Sequence, residues 1–542
     1  MQLDLSCRLQ AIGAILLLAL PLSLGWHPTP TLGSLADAIA VFCVCAVLLF
    51  STAPKLLDAR RFWLGTGGLL GLFMLRSLIQ ALSGSSAYAG FWVGPLAVLA
   101  TAFGICFYWN AKAIDSLKVV AFAVFLAALI NATVGVLQYW RVASVIEFLT
   151  PYLVYWDRTD PVAHGNIAQR NNLASLCMLG IAASLYLFPK RNVRVVTLEF
   201  ALAYVVTSTA SRTPLLIVLV VLILAMIRSR SWRVFDKPMV QWFVVPIVLA
   251  QVLTPGFNHV LQMVIDLPTM ESGVERLSAQ GLGIRSIYYQ LAAEIGLQIG
   301  PLGLGWKSFP NAMIDHGYLR GLWGAEELPI HAHNLLLHLW VENGIVLAIL
   351  ASFYPFWLLL RKGVSGSESD LARLSVTVLA VHSWLEFPLW QPAFLFLFVL
   401  MLRVLEFVAP AKRRPPAALS HIAKASFFAM AIGAAVTAAQ LVLVANSWRN
   451  LTGGNPQVAQ AQLDYLRLNP IIEPYRDWLV LNLNRDVPLQ RVVRLERLTQ
   501  WLPDTHMLGL LSNAYREVGR HMDADRIDDQ LAVVFGIKPK LE

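Results

Sequence analysis

Five polar clusters interrupt a chain that is otherwise apolar. They are Gln169-Arg170-Asn171-Asn172, Ser211-Arg212-Thr213, Arg285 with Tyr288-Tyr289, His331-Ala332-His333-Asn334 followed by His338 and Glu342, and His382-Ser383 with Glu386. A guanidinium binds phosphate through a planar fork of fixed charge. An imidazole takes a proton from a hydroxyl near neutral pH. Gln, Asn and Glu side chains orient a sugar or a histidine. Together these types suit a lipid-linked phosphate ester whose leaving group is displaced by an outside nucleophile. Singly, each has a plainer role: Arg212 as a snorkelling interface residue, His333 as a satisfied histidine at a helix start, Glu386 as a local cap or ion-pair partner. A metal pair of His331 and His333 with His316, His338 or Glu327 is a further alternative, but no HExxH-like spacing is present, so no metal and no cofactor are expected. Trp306, Trp323, Trp340, Trp384 and Trp390 fit an interfacial aromatic belt or a platform for sugar rings.

The elements that must position these groups are membrane spans. The chain has 542 residues, 57% hydrophobic and 14% charged, with a mean hydropathy of +0.61. Soluble domains carry about 25% charged residues, so lipid must solvate much of this chain. Runs of suitable length centre on 9–26, 34–53, 62–82, 89–109, 118–140, 171–189, 195–209, 213–228, 239–255, 335–360, 371–389, 391–409 and 423–445. The expectation is an all-α polytopic membrane protein of about thirteen spans. The first run lacks a small-residue cleavage site and is read as a retained span. Cys7, Cys43, Cys45, Cys106 and Cys177 lie in or beside apolar segments, which argues against a disulfide framework or a zinc site.

The net charge of +9 is placed for topology rather than for nucleic acid. With a cytoplasmic N-terminus, the inside loops carry Arg60-Arg61, Lys112 and Lys118, Lys190-Arg191 with Arg194, Arg228, Arg230, Arg233 and Lys237, Arg361-Lys362, and Lys412-Arg413-Arg414, whereas the outside turns 27–33 and 83–88 carry none. All five polar clusters then fall at the outer face. Three outside segments follow: 141–170, the large periplasmic loop 256–334, and the tail. Residues 1–445 are expected to form the transmembrane catalytic domain. Residues 446–542 are expected to form a periplasmic helical domain, in which Leu510–Arg520 with Ala524 has the look of one tetratricopeptide-like hairpin.

The residues resemble the bacterial O-antigen ligase, polymerase and protein O-oligosaccharyltransferase superfamily, most of all its PglL-type members. The likeness covers roughly residues 160–409. It is carried by His164–Ala174 entering a span, by Ser211-Arg212, by Arg285 in Gly283–Tyr288, by His333-Asn334 with Gly344, and above all by His382-Ser383-Trp384-Leu385-Glu386-Phe387-Pro388-Leu389-Trp390. Gln391 stands where such members often have tyrosine, Leu347 where the ligase motif has a small residue, and Tyr288 where a loop tryptophan is common.

The resemblance implies a GT-C-like glycosyltransferase in the bacterial inner membrane with a periplasmic active site. The implied donor is an oligosaccharide on undecaprenyl diphosphate, and the implied acceptor is a Ser or Thr hydroxyl of a pilin or other periplasmic protein. His333, Arg285 and Arg212 are then the expected catalytic residues, with Gln169, Asn172, Asn334, His382 and Glu386 around the substrates. An O-antigen ligase acting on lipid A-core and an O-antigen polymerase are the nearest alternatives. A transporter or flippase is disfavoured, because transporters place polar groups at the bilayer midplane.

Overall fold

The computed structural model describes residues 5–31, 33–50, 63–84, 86–108, 114–142, 150, 152–157, 160–229, 238–264, 284–321, 330–361, 365–406, 417–466, 469–483 and 486–536. Arg60-Arg61, Lys112, Arg230, Arg233, Lys237, Trp323, Glu327, Lys362 and Lys412-Arg413-Arg414 lie outside them. The described residues form twenty-one α-helices and no strand. In chain order these are α1 (Leu5–Ser23), α2 (Ser34–Phe50), α3 (Thr66–Ser83), α4 (Gly90–Tyr108), α5 (Ile114–Tyr139), α6 (Arg170–Leu187), α7 (Val193–Ser208), α8 (Thr213–Ser229), α9 (Pro238–Gln262), α10 (Ile284–Gln298) and α11 (Phe309–Arg320). They continue as α12 (Leu335–Asn343), α13 (Ile345–Leu360), α14 (Ser367–Ser383), α15 (Pro392–Glu406), α16 (Ala417–Thr452), α17 (Pro456–Leu463), α18 (Glu473–Asn482), α19 (Pro488–Trp501), α20 (Thr505–Glu517) and α21 (His521–Phe535).

A helix lies on each of the thirteen apolar runs. Four stretches, Thr66–Ser83, Leu117–Tyr139, Pro238–Gln262 and His421–Thr452, are long and apolar enough to cross a membrane by length and composition, and five shorter apolar helices accompany them. The described residues are all-helical, with the apolar helices of a polytopic membrane protein. The tenth run differs from its expected form: it is two helices, broken at Gly344 (φ +87°). A β-carbon there would stand 1.8 Å from the Pro301 carbonyl oxygen, so only glycine fits. The loop pressed into this break donates Leu304 N–H to Val341 O (2.8 Å) and Gly305 N–H to Glu342 O (2.8 Å). Those bonds satisfy carbonyls that the end of α12 would otherwise orphan.

Burial shows which helices are central. In α6 every residue from Asn172 to Tyr186 is buried, and in α14 the run Leu374–Ser383 is buried throughout. A helix apolar and buried on all sides belongs inside a bundle. By contrast α9 exposes Val245, Val248, Leu249, Val252 and Leu253, a face suited to lipid.

Hydrogen bonds tie the expected outer elements to one end. Asn166 Nδ2 donates to Ser23 O at the close of α1 (2.9 Å), and Ala163 N–H donates to Ser208 O at the close of α7 (3.2 Å). Arg76 near the close of α3 donates from Nε to Leu302 O (2.7 Å). Tyr88, between α3 and α4, donates to Asp477 of α18 (3.0 Å). At the other end, Arg228 donates to Leu359 O and Arg361 O, bringing two expected inside positions together. The helix α16 runs on through residue 445 without a break. Beyond it, α19, α20 and α21 pack as antiparallel neighbours around Val492, Leu495, Leu511 and Ala524, and α21 rests on α11 through Ile314, Leu531, Val534 and Phe535.

Candidate active site

The carboxylate of Glu386 is where the scattered polar clusters meet. It lies in the turn between α14 and α15 and is 4% exposed. Its Oε1 accepts from Asn171 Nδ2 of α6 (3.0 Å) and pairs with Arg285 of α10. Its Oε2 bonds His333 Nδ1, just before α12 (2.7 Å). Four elements far apart in sequence are thus clamped on one side chain. Burial alone would raise the pKa of Glu386, but the His333 hydrogen bond and the positive charge of Arg285 outweigh it and hold the carboxyl below its ordinary range.

An ionised carboxylate only accepts, so the His333 nitrogen facing it must donate. The proton of the neutral ring therefore sits on Nδ1, and the lone pair sits on Nε2, away from Glu386. The backbone makes this possible. His333 adopts φ +52°, a left-handed conformation uncommon for histidine, and its carbonyl accepts from Tyr289 Oη (3.1 Å). Burial raises the Tyr289 phenol above its ordinary range. Asn334 follows as the N-cap of α12, accepting from Leu337 N–H (3.1 Å) and donating to Trp384 O (3.3 Å). His333 and Arg285 side chains remain 27% and 33% exposed, so the cluster opens outward.

One turn deeper a second rung joins the same two helices. Ser175 Oγ bonds His382 Nδ1 (2.8 Å), and His382 is fully buried with no partner at Nε2. Asn171 and Ser175 are spaced i, i+4 on α6, as His382 and Glu386 are in the chain, so the rungs match across the antiparallel pair. Sequence reasoning named Asn172 as a site residue. The structure instead turns Asn171 to Glu386, buries Asn172, and gives Ser175 and Tyr289 roles not assigned to them. The missed signal was this i, i+4 pairing of polar residues inside apolar runs.

The remaining expected residues have separate places. Gln169 caps α6, its Oε1 accepting from Asn172 N–H (2.6 Å). Arg212 stands half-buried immediately before α8, beside the close of α7 to which the Gln169 loop is bonded. His331 is stacked on Phe387 (4.2 Å between ring centroids) and burial lowers its pKa well below the ordinary value. His316 pairs with Glu294 away from the cluster (3.0 Å), where hydrogen bonds from Gln290, His316 and Arg320 hold Glu294 down to about 2.

Fold and site define an all-helical membrane protein with a histidine–carboxylate pair, backed by arginine and asparagine, at one end of its bundle. Comparison with known proteins places it more narrowly. Residues 197–352 match the family described as O-antigen ligase, 371–539 the family described as virulence factor membrane-bound polymerase, C-terminal, and 163–188 the family described as protein glycosylation ligase. The three segments carry Arg212, Arg285 and His333; His382 and Glu386; and Gln169, Asn171 and Ser175. A protein named general O-oligosaccharyltransferase from Acinetobacter baylyi is 25% identical over 292 residues, which cover 51% of this chain and 48% of that relative. The match thus spans about half the length of that relative. The chain is similar to the O-antigen ligase and protein glycosylation ligase families over these segments, and to that relative over about half its length.

Proposed function

We propose that the chain transfers an oligosaccharide from a lipid diphosphate carrier to a hydroxyl of an acceptor protein. The observation that carries this reading is the Glu386 bridge between His333 and Arg285. His333 Nε2 takes the proton of the incoming Ser or Thr hydroxyl, while Nδ1–H stays on Glu386 and steadies the imidazolium that forms. The oxygen attacks the anomeric carbon. The carbon–oxygen bond to the carrier breaks, its electron pair leaves with the diphosphate, and the proton passes from His333 to that leaving group or to water. Arg285 donates from one amino group to Glu386 and from the other to Leu385 O (3.4 Å); its remaining N–H groups meet the diphosphate, and Arg212 is the second arginine of this reading. The N-termini of α6 and α12 also end at this cluster and favour an anion there. In this reading Gln169 and Asn334 hold donor sugar or acceptor, Asn172 acts only through its backbone bond to Gln169, and His382 supports Glu386 from beneath. In this reading the donor carrier is undecaprenyl diphosphate and the acceptor a pilin or other periplasmic protein. The cluster faces the periplasm from the inner membrane, with the N-terminus cytoplasmic. Residues 1–445 form the catalytic membrane domain, including the loop 256–334, and residues 446–542 a periplasmic helical domain.

The match to the polymerase family over 371–539 favours a second reading, in which the acceptor is another lipid-linked glycan. The purified chain, incubated with a labelled lipid-linked glycan and an acceptor protein, separates the two. Label on protein is expected; label only on longer lipid-linked glycan selects the second reading, and label on neither, or full activity in both His333→Ala and Arg285→Ala, ends the first.

A further inference from the structure

A cavity of about 790 Å³, lined in part by Trp390, is walled by α2, α3, α4, α12, α13, α15 and α16. None of Asn171, Arg285, His333 and Glu386 lines it. On α15 the wall runs from Pro392 at the outer end to Leu402, about ten residues, or ~15 Å along the axis at the α-helical rise. Most of that wall is apolar. The outer mouth is different. It carries Asp37 from the first turn of α2 and Lys307 from the loop that precedes α11, with Asn469 and Tyr475 from the tail. Glu342 also lines it, but this carboxylate is engaged by His338 (3.4 Å) and Phe309 N–H (3.4 Å).

Lys307 is held in place. Its backbone is left-handed (φ +67°), and the preceding Trp306 is anchored by Gln80 at its N–H (2.8 Å) and by Ser77 at its ring nitrogen (2.9 Å). Asp37 sits on the first turn of a packed helix. Among the described residues neither side chain makes a salt bridge, and the charge of Lys307 acts on Asp37 across the mouth of a slot with apolar walls. A charge beside lipid is costly unless it is paired or hydrated.

We propose that this cavity is a binding site for one phospholipid whose headgroup carries both a phosphate and a primary ammonium. Lys307 receives the phosphate and Asp37 the ammonium, each as a charge-assisted hydrogen bond, while an acyl chain fills the slot toward Leu402. The pairing of signs selects the ligand. A free phosphate leaves the apolar depth empty. A purely anionic lipid, or a polyprenyl diphosphate, brings extra negative charge against Asp37 with only Lys307 to meet it. A bound phospholipid braces α2, α15 and α16 against the tail helices that close the mouth.

Two glycines provide a test that leaves the fold intact. Gly94 of α4 and Gly433 of α16 both line the cavity, and a β-carbon on either meets no atom within 4 Å. The full chain, purified in mild detergent from membranes containing phosphatidylethanolamine, phosphatidylglycerol and polyprenyl phosphates, is extracted, and the retained lipids are counted by mass spectrometry. Wild type is expected to retain one phosphatidylethanolamine per chain. Gly433→Phe and Gly94→Phe, checked for folding by gel filtration and thermal melting, are expected to retain none. Lys307→Ala and Asp37→Ala are each expected to lower retention about tenfold, the loss of one hydrogen bond to a charged group. Retention of no lipid by wild type overturns the proposal. So does retention of phosphatidylglycerol or polyprenyl phosphate instead, or undiminished retention in whichever filling variant folds. Should neither filling variant fold, unchanged retention in both Lys307→Ala and Asp37→Ala overturns it equally. The readout is binding, so the outcome does not depend on whether the transfer reaction is correct.

Discussion

Two glutamates near opposite ends of the bundle are buried against arginine, and the contrast between them is instructive. Glu406 closes α15. It accepts from Thr66 N–H (2.5 Å), from the Thr66 hydroxyl and from Tyr354 Oη (2.6 Å), and it pairs with Arg403 one turn back on its own helix. Arg403 and Glu406 are 7% and 6% exposed, so this cluster has no outward face. It pins the start of α3 and the middle of α13 to the close of α15. Glu386 has a similar number of partners, yet they arrive from three other elements, and two of them reach outward. The chemistry of pairing is the same in both places. A closed set of partners makes a lock, whereas partners with donors and lone pairs to spare make a site.

That comparison fails or sharpens with five measurements. The largest effect is expected for His333→Ala, which should reduce glycan transfer by roughly 10²–10⁴-fold, the range for a general base, with the melting temperature little changed. An equal loss in Glu406→Gln at unchanged stability would erase the distinction drawn here. Glu386→Gln should reduce transfer roughly 10²-fold or more, because an amide no longer fixes the Nδ1–H tautomer of His333; a rate within twofold of wild type in the same assay would remove Glu386 from the mechanism. Glu406→Ala should behave in the opposite sense. Stripping one partner from a buried ion pair costs about 3–5 kcal/mol, so thermal melting should drop clearly while the specific activity of the folded fraction stays near wild type. Asn171→Ala should lower transfer about tenfold, as expected for one hydrogen bond to a charged group, and Asn171→Asp should lower it further by placing a like charge against Glu386. If Asn172→Ala proved the more damaging of the two neighbours, the orientation of α6 described here would be wrong.

The smallest effect concerns pH. Glu386 is held below the ordinary carboxylate range in the folded chain. The unfolded chain therefore binds its proton first as acid is added. The stabilisation from this group is complete above the ordinary value of about 4.3 and is lost as pH falls through the lower folded value. Melting temperature should fall more in wild type than in Glu386→Gln between about pH 6 and pH 4 or below. Parallel curves would show that the carboxylate is not paired as described.

The positions of the helices were readable from the sequence because the signal is local. A run of about 20 apolar residues has few ways to satisfy its backbone in lipid other than as a helix, and a helix lies on each such run. That His333, Arg285 and Glu386 gather at one end was also readable, since alternation of spans places distant segments together without any knowledge of packing. What required tertiary structure was rotation about each helix axis and the identity of close partners. Whether Asn171 or Asn172 turns toward Glu386 is a difference of about 100° around α6, which hydrophobic pattern does not resolve because α6 is buried on every side. The break at Gly344 likewise depended on a loop more than forty residues earlier in the chain, whose Pro301 carbonyl occupies the space a side chain would need. The alternation of apolar runs set which residues gather at one end of the bundle; only packing decided that a glutamate in a turn would collect an arginine, a histidine and an asparagine from three other elements.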